Sequence, residues 1–271
     1  MSEEREYLLG VNDGELERLG FQHQVWSAQA ASAWERAGFG PGHALLDVGC
    51  GPGYATLDLA RLVGAAGRVH GVDLSERFVA HVRRQAAARG LQGVTAEVGD
   101  VTALDLPEAS FDGAWSRWVL CYLRDPGAAV RGVARALRPG AAFVVQDYMK
   151  YGGVLVAPED PAFDRVFAAM MASWRASGGD PHLGARLPAL MEQAGLRVVH
   201  VETLVRTGRP GSGVWEWPRT FFTNFLPTLV SNGFLTRADA DEFDARWAER
   251  ERDPGAFFST PPMVEVIGVK R

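Results

Sequence analysis

Three glycines at alternate positions over residues 49–53 have the clearest chemical use in the sequence. They follow an apolar segment typical of a buried strand, Ala44–Val48, and precede a helical pattern that begins at Tyr54. Glycine lets a ligand approach the backbone closely, and a helix N-terminus offers free N–H groups with partial positive charge. A second apolar segment ends at Asp73, about twenty residues further on, where a carboxylate can accept hydrogen bonds from ribose hydroxyls. The arrangement predicts a site for a nucleotide-type ligand.

The glycine spacing indicates which kind of nucleotide ligand is bound. Dinucleotide-binding folds carry G-x-G-x-x-G, whereas this chain has G-x-G-x-G preceded by Asp47. That pattern resembles motif I of the class I S-adenosylmethionine (SAM)-dependent methyltransferases, and we place the chain with the members that methylate small molecules. Further segments resemble later motifs of the family in order and spacing over residues 41–147: Gly71–Ser75, Val98–Val101, Phe111–Trp115 and Leu137–Ala141.

The resemblance implies roles for individual residues toward SAM and its product S-adenosylhomocysteine (SAH). Asp100 and Val101 would meet the adenine, and Arg117 or its neighbouring backbone would lie near the methionine moiety. The N-terminal segment would fold over the donor as a lid. The full set of expected cofactor-binding residues is Asp47, Gly49, Gly51, Gly53, Asp73, Leu74, Asp100, Val101, Arg117, Tyr7 and Trp26.

The chemistry implied by the resemblance is in-line displacement at a sulfonium methyl group, which depends mainly on alignment and exclusion of water. A general base is required only if the nucleophile arrives protonated. The candidates are Asp147, which ends the fifth predicted strand, Tyr148 and His23. Aromatic side chains expected to line the acceptor site are Trp118, Trp217 and Phe221. No acid directly follows the fourth predicted strand, so we expect no metal.

Several other functions are disfavoured. No lysine lies four residues after a tyrosine, as short-chain dehydrogenases require, and no G-x-x-x-x-G-K-[ST] phosphate loop occurs. The net charge of −5 argues against nucleic acid as a partner. One alternative stays open: because a fold does not dictate a function, the chain could bind SAM in a regulatory or other role without methyl transfer.

The elements that must position these residues alternate between strands and helices over residues 41–147. Such alternation predicts a doubly wound, Rossmann-like α/β fold with a parallel sheet. The family resemblance implies seven strands in the order 3-2-1-4-5-7-6, the last one antiparallel. We divide the chain into a helical lid, residues 1–40, and a methyltransferase domain, residues 41–271. Helical cap insertions are expected near 148–182 and 207–260.

Composition sets broader limits. Hydrophobic residues make up 47% of the 271 residues and charged residues 23%, which is typical of a globular protein. No apolar run is long enough to span a membrane, so we expect no membrane association and a cytoplasmic location. Two cysteines exclude a disulfide framework. The partner is expected to be a small-molecule acceptor, and a homodimer is possible on sequence grounds.

Overall fold

The computed structural model describes residues 13–271, which form a seven-stranded sheet with helices on both faces and a smaller three-stranded sheet. Tyr7 lies outside the described residues. The strands in chain order are β1 (Ala44–Val48), β2 (Arg68–Asp73), β3 (Val94–Val98), β4 (Phe111–Arg117), β5 (Leu137–Tyr148), β6 (Leu155–Ala157), β7 (Leu196–Leu204), β8 (Thr207–Gly208), β9 (Phe257–Ser259) and β10 (Met263–Lys270). The helices are α1 (Asp13–Arg36), α2 (Tyr54–Val63), α3 (Glu76–Ala88), α4 (Pro126–Ala136), α5 (Pro161–Ala176), α6 (Leu187–Gln193), α7 (Gly213–Ser231) and α8 (Arg237–Arg250).

The large sheet has the order β3-β2-β1-β4-β5-β10-β7. Its first five strands pair in parallel, and β10 is antiparallel to both β5 and β7. Counted within this sheet alone, the order is 3-2-1-4-5-7-6, which confirms the predicted fold. The parallel strands therefore end at one common edge, where the loops after β1, β2, β3, β4 and β5 meet.

Local signals explain why the central helices begin where they do. The Ser75 side chain accepts a hydrogen bond from the Phe78 N–H at the start of α3, and Asp125 does the same for Ala128 at α4. Such caps satisfy backbone N–H groups that the helix itself leaves unpaired. Helix α2 begins at Tyr54, as the sequence pattern predicts.

The two predicted insertions carry the smaller sheet, in the order β6-β9-β8, together with α5, α7 and α8. Helix α7 lies within the second predicted insertion and contains Pro218 and Pro227, each of which removes a helical hydrogen bond. Burial of its aromatic face offsets that loss: Phe222 is 1% exposed and contacts the ring of Phe243 from α8. No helix among residues 13–271 is long and apolar enough to cross a membrane.

Candidate active site

A cavity of about 990 Å³ lies at the carboxyl edge of the parallel strands, between that edge, α1 and the cap elements. It brings together most of the predicted site residues: His23, Asp47, Gly49, Gly51, Asp73, Leu74, Asp100, Val101, Arg117, Trp118, Tyr148, Trp217 and Phe221. Gly53, Trp26 and Asp147 do not line it. The volume is at the upper end of the roughly 300–1,000 Å³ typical of ligand pockets.

The glycine turn shapes one end of the cavity. Gly49 and Gly51 both have positive φ, at 68° and 52°. A Cβ on Gly49 would lie 2.4 Å from Cγ2 of Val119, so this glycine is required by packing. A Cβ on Gly51 would have no atom within 4 Å, so the space in front of this residue is open. Gly53, at the start of α2, is required by packing against Val82, where a Cβ would approach to 2.6 Å.

Asp73 lies beside the turn at the end of β2. Its Oδ2 accepts a hydrogen bond from the Gly51 N–H at 2.8 Å, and its Oδ1 accepts one from the Ser75 N–H at 2.9 Å. Burial raises the pKa of this carboxyl, although the two backbone bonds oppose the change. Asp73 therefore both fixes the turn and presents a carboxylate to the cavity. Leu74, next in the chain, is half exposed along the same wall.

The loop after β3 contributes the third part of this end. Asp100 Oδ1 accepts from the N–H and the hydroxyl of Thr102, at 2.8 and 2.6 Å. These bonds cap a short 3₁₀ turn, Val101–Ala103, and Val101 is buried within it. Gly51, Asp73, Asp100 and Val101 thus share one wall formed by three consecutive strand ends.

Asp47 and Arg117 are two charged residues that line this end of the cavity. Asp47 accepts a hydrogen bond from the Thr56 hydroxyl at 2.6 Å, and burial raises the pKa of its carboxyl to about 7. Burial also lowers the pKa of Arg117 to about 10, while the charge of Asp47 acts in the opposite direction. Because the opposite charges partly compensate each other, two groups that are costly to bury singly can be kept together.

Arg117 continues into a chain of hydrogen bonds with α1 and α2. Its guanidinium donates to the Trp26 carbonyl at 3.3 Å and to Nδ1 of His23 at 3.1 Å. Since Arg can only donate, Nδ1 must accept, and Nε2 then carries the proton directed at Asp58 Oδ2, 2.8 Å away. Both ring nitrogens of His23 are therefore occupied, and neither is available to take a proton from a ligand.

Asp147 is fully buried and faces away from the cavity. Its carboxylate accepts from the N–H of Cys121 at 3.0 Å and from the N–H of Tyr148 at 2.8 Å. Burial raises its pKa to about 6. This carboxylate holds the loop after β4 against the end of β5. A general base would instead have to reach the ligand in the cavity.

Aromatic rings form the opposite end of the cavity. Trp118 stacks on Trp217 with ring centroids 5.7 Å apart and on Tyr148 at 6.0 Å. Trp118 has a positive φ of 53°, rare for a bulky side chain, and its N–H donates to the Gln146 carbonyl at 3.0 Å. Trp26 is fully buried behind Trp118 and Trp217 and contacts both edge-on, at 5.6 and 5.3 Å.

Some lining residues were not singled out from the sequence. Arg18 is 5% exposed and pairs with Glu15 through two hydrogen bonds of 2.6 and 2.7 Å. The side-chain Oε1 of Gln22 accepts hydrogen bonds from both Arg18 and the Trp217 indole, which fixes Trp217 against α1. Tyr122, Tyr151, Trp174 and Phe222 also line the aromatic end. The i, i+3 spacing of Glu15 and Arg18 was a usable signal, whereas the aromatic residues come from separate elements.

Known proteins share both the sequence pattern and the fold. A family described as "Methyltransferase domain" matches residues 46–145. Methyltransferase GfsG of Streptomyces halstedii is 30% identical over 217 residues, covering 78% of this chain and 73% of that protein. An uncharacterized 37.1 kDa protein in transposon TN4556 of Streptomyces fradiae is also 30% identical, and the alignment covers 76% of this chain but 60% of that protein.

Among solved structures, the [4+2]-cyclase SpnF superimposes with a TM-score of 0.57 at 24% sequence identity. The match covers 91% of this chain and 81% of SpnF. At this level of identity the likeness establishes the fold.

Proposed function

The chain belongs to the class I SAM-dependent methyltransferase family, and on this premise we propose that it transfers a methyl group from SAM to a small-molecule acceptor by in-line displacement. The observation that carries the proposal is the continuity of one cavity, with the glycine turn and Asp73 at one end and stacked aromatic rings at the other. A transferase needs donor and acceptor in contact, and a single cavity of this size accommodates both.

The residues at the glycine end fit SAM. The open space in front of Gly51 allows the donor to lie against the backbone, and the Asp73 carboxylate is placed to accept hydrogen bonds from the ribose hydroxyls. Leu74, Asp100 and Val101 are assigned to the adenosine, and Arg117 with Asp47 to the neighbourhood of the methionine moiety. Gly49 and Gly53 shape the turn. When bound, SAM supplies an electrophilic methyl group on a sulfonium sulfur.

Helix α1 is assigned to a lid over the donor, within the predicted lid of residues 1–40. Its hydrogen bonds from His23 to Asp58 and from the Tyr54 hydroxyl to the Leu16 carbonyl connect it to α2. Trp26 acts from behind, by supporting the Trp118–Trp217 stack. The insertions near 148–182 and 207–260 are assigned to a cap that closes the acceptor end and excludes water.

The acceptor end fits a molecule with a flat, apolar part. Trp118 and Trp217 present nearly parallel rings, inclined by 20°, and Phe221 lies along the same wall. Arg117 lies over the Trp118 ring at 4.9 Å, so the stack is held from the donor side as well. Trp118 therefore stands between the two ends, and its ring position determines how the acceptor meets the methyl group.

The candidate bases receive different roles from those expected. Asp147 is assigned to fixing the loop after β4, because both of its carboxylate oxygens hold backbone N–H groups and it does not line the cavity. His23 is assigned to positioning Arg117, because both of its ring nitrogens are bonded. Of the three residues, only Tyr148 lines the cavity with a polar side-chain group, its hydroxyl, that forms no hydrogen bond to residues 13–271.

The test is titration calorimetry with SAH, followed by detection of SAH from SAM in the presence of candidate acceptors. Micromolar SAH binding that is lost in Asp73→Asn supports the donor site, and acceptor-dependent SAH formation supports methyl transfer. Absence of SAH binding refutes the proposal. SAH binding without turnover on any of a broad acceptor panel favours the alternative, a SAM-binding protein without methyl transfer. SpnF, a [4+2]-cyclase, shares this fold, so the fold alone does not require methyl transfer.

A further inference from the structure

Two tyrosine hydroxyls at the aromatic end have no role in holding the protein together. Tyr148 and Tyr151 are each 7% exposed, and both line the cavity. Neither hydroxyl has a hydrogen-bond partner among residues 13–271. Neither hydroxyl oxygen is fully enclosed by protein atoms. Each oxygen therefore faces the space within the cavity. A ligand in the cavity can supply the hydrogen-bond partner that each hydroxyl lacks within the protein.

The rings that carry these hydroxyls are firmly positioned. Tyr148 and Tyr151 meet edge to face with centroids 4.8 Å apart, and each contacts Trp174 at 5.5 Å. The Tyr148 N–H is bonded to Asp147, and the Tyr151 N–H donates to the Pro181 carbonyl at 3.1 Å. The indole of Trp174 is in turn fixed by a bond of 3.1 Å to the Cys121 carbonyl. The hydroxyls are thus preorganised for a ligand.

Both hydroxyls are donors at neutral pH. Burial raises the pKa of Tyr148 well above its ordinary value, and negative charge on Tyr151, Cys121 or Asp147 would raise it further. Burial also raises the pKa of Tyr151. The charge of Arg18, which is paired with Glu15, acts in the opposite direction on the pKa of Tyr148 and is the smallest of these effects. Neither tyrosine can serve as a base, but both can hydrogen-bond an anion.

Other groups around this end do not supply a base either. Asp147 and His23 are committed to the contacts described above. The remaining nearby acid that lines the cavity, Asp125, accepts from the Ala128 N–H at 2.9 Å and pairs with Arg131 at 3.5 Å. An acceptor that reacts here must therefore bring a proton acidic enough to leave without a protein base.

We propose that Tyr148 and Tyr151 donate hydrogen bonds to the oxygen of a planar phenol or enol acceptor and stabilise its anion, so that the site acts as an oxyanion hole for the nucleophile. This inference rests on the proposed methyl transfer and names its substrate class. The acceptor O–H loses its proton to water, the anion forms a new bond to the methyl carbon through oxygen or the conjugated carbon, and the sulfur keeps the electron pair of the broken C–S bond. Stacking against the indoles of this end explains the preference for a planar molecule.

The probe is 7-hydroxycoumarin, whose phenol and phenolate absorb at different wavelengths. Absorbance is titrated against pH with protein in excess and SAH at saturation. We expect the pKa of the bound probe to fall by at least about one unit, since hydrogen bonds to a charged form favour that form. Tyr148→Phe and Tyr151→Phe should each reverse much of this shift. Both variants keep the ring, and neither leaves a protein group unpaired, so both should fold.

Ser177→Ala is the control, because its hydroxyl also belongs to a residue that lines the cavity but already donates to the Trp174 carbonyl at 2.7 Å. It should leave the probe's pKa unchanged. An unshifted probe in the SAH-bound protein, no probe binding, or equal effects of all three substitutions would overturn the oxyanion-hole assignment. Failure of SAH itself to bind, measured separately by calorimetry, would instead refute the proposed function.

Discussion

The glycine turn allows fold and ligand binding to be separated by alanine substitution. Gly49, Gly51 and Gly90 all have positive φ, at 68°, 52° and 64°, so alanine at any of them carries left-handed backbone strain of about 1–2 kcal/mol. The surroundings differ. A Cβ would meet open space at Gly51 and Gly90 but would lie 2.4 Å from Val119 at Gly49. Only Gly49 and Gly51 line the cavity, and Gly90 follows α3 away from it.

These differences set the expected magnitudes. Gly51→Ala and Gly90→Ala should each lower the free energy of unfolding by about 1–2 kcal/mol, the strain alone. Gly49→Ala should lose about 1–3 kcal/mol more, because the added methyl group overpacks the site. SAH affinity should be unchanged in Gly90→Ala. In Gly51→Ala it should fall at least about tenfold, or 1.4 kcal/mol, because the methyl group occupies space in which the donor approaches the backbone.

The assays are urea unfolding for stability and titration calorimetry for SAH. Gly90→Ala serves as the control that carries strain without obstruction. If Gly51→Ala bound SAH as tightly as Gly90→Ala, the donor would not lie against this turn. If Gly49→Ala were no less stable than Gly51→Ala, the packing argument for the first glycine would be wrong.

Three further predictions concern buried carboxylates. Asp73→Asn replaces an acceptor oxygen by a donor, so SAH affinity should fall at least about tenfold by calorimetry; a change below threefold would contradict its ribose role. The pKa of Asp47 rises from 3.8 to about 7 on folding, so its protonation stabilises the protein below pH 4 and that stability is lost as pH rises through 7. The difference in unfolding free energy between the wild type and Asp47→Asn should therefore fall by a few kcal/mol from about pH 4 to pH 7, at about 1.4 kcal/mol per pKa unit. A difference that does not change with pH would refute the assignment. Asp147→Ala leaves two buried N–H groups unpaired, at about 1–3 kcal/mol each, so thermal unfolding should occur at a clearly lower temperature; full stability with lost turnover would restore Asp147 as a base.

Much of the fold was predictable, because its signals are local. Strand β1 spans Ala44–Val48 and α2 begins at Tyr54, as the sequence pattern predicts. Strand and helix periodicity, the glycines and the caps at Ser75 and Asp125 each act within a few residues of one another. The cap was less predictable. Helix α7 contains two prolines, and what stabilises it is packing of its aromatic face against α5 and α8, which no local pattern reports.

The site divides in the same way. The glycine turn and the carboxylate of Asp73 follow from the sequence, because a strand, a turn and the next strand end specify their own geometry. The strand order, in contrast, was implied by the family resemblance. The folded chain is needed to see that Asp147 is buried, that His23 bridges Arg117 and Asp58, and that the hydroxyls of Tyr148 and Tyr151 face the cavity. Whether a carboxylate, an imidazole or a phenol can accept or donate a proton depends on its burial and on the charges around it. Those charges come from elements that are far apart in the chain, such as α1 and β4, and that meet only when the protein folds.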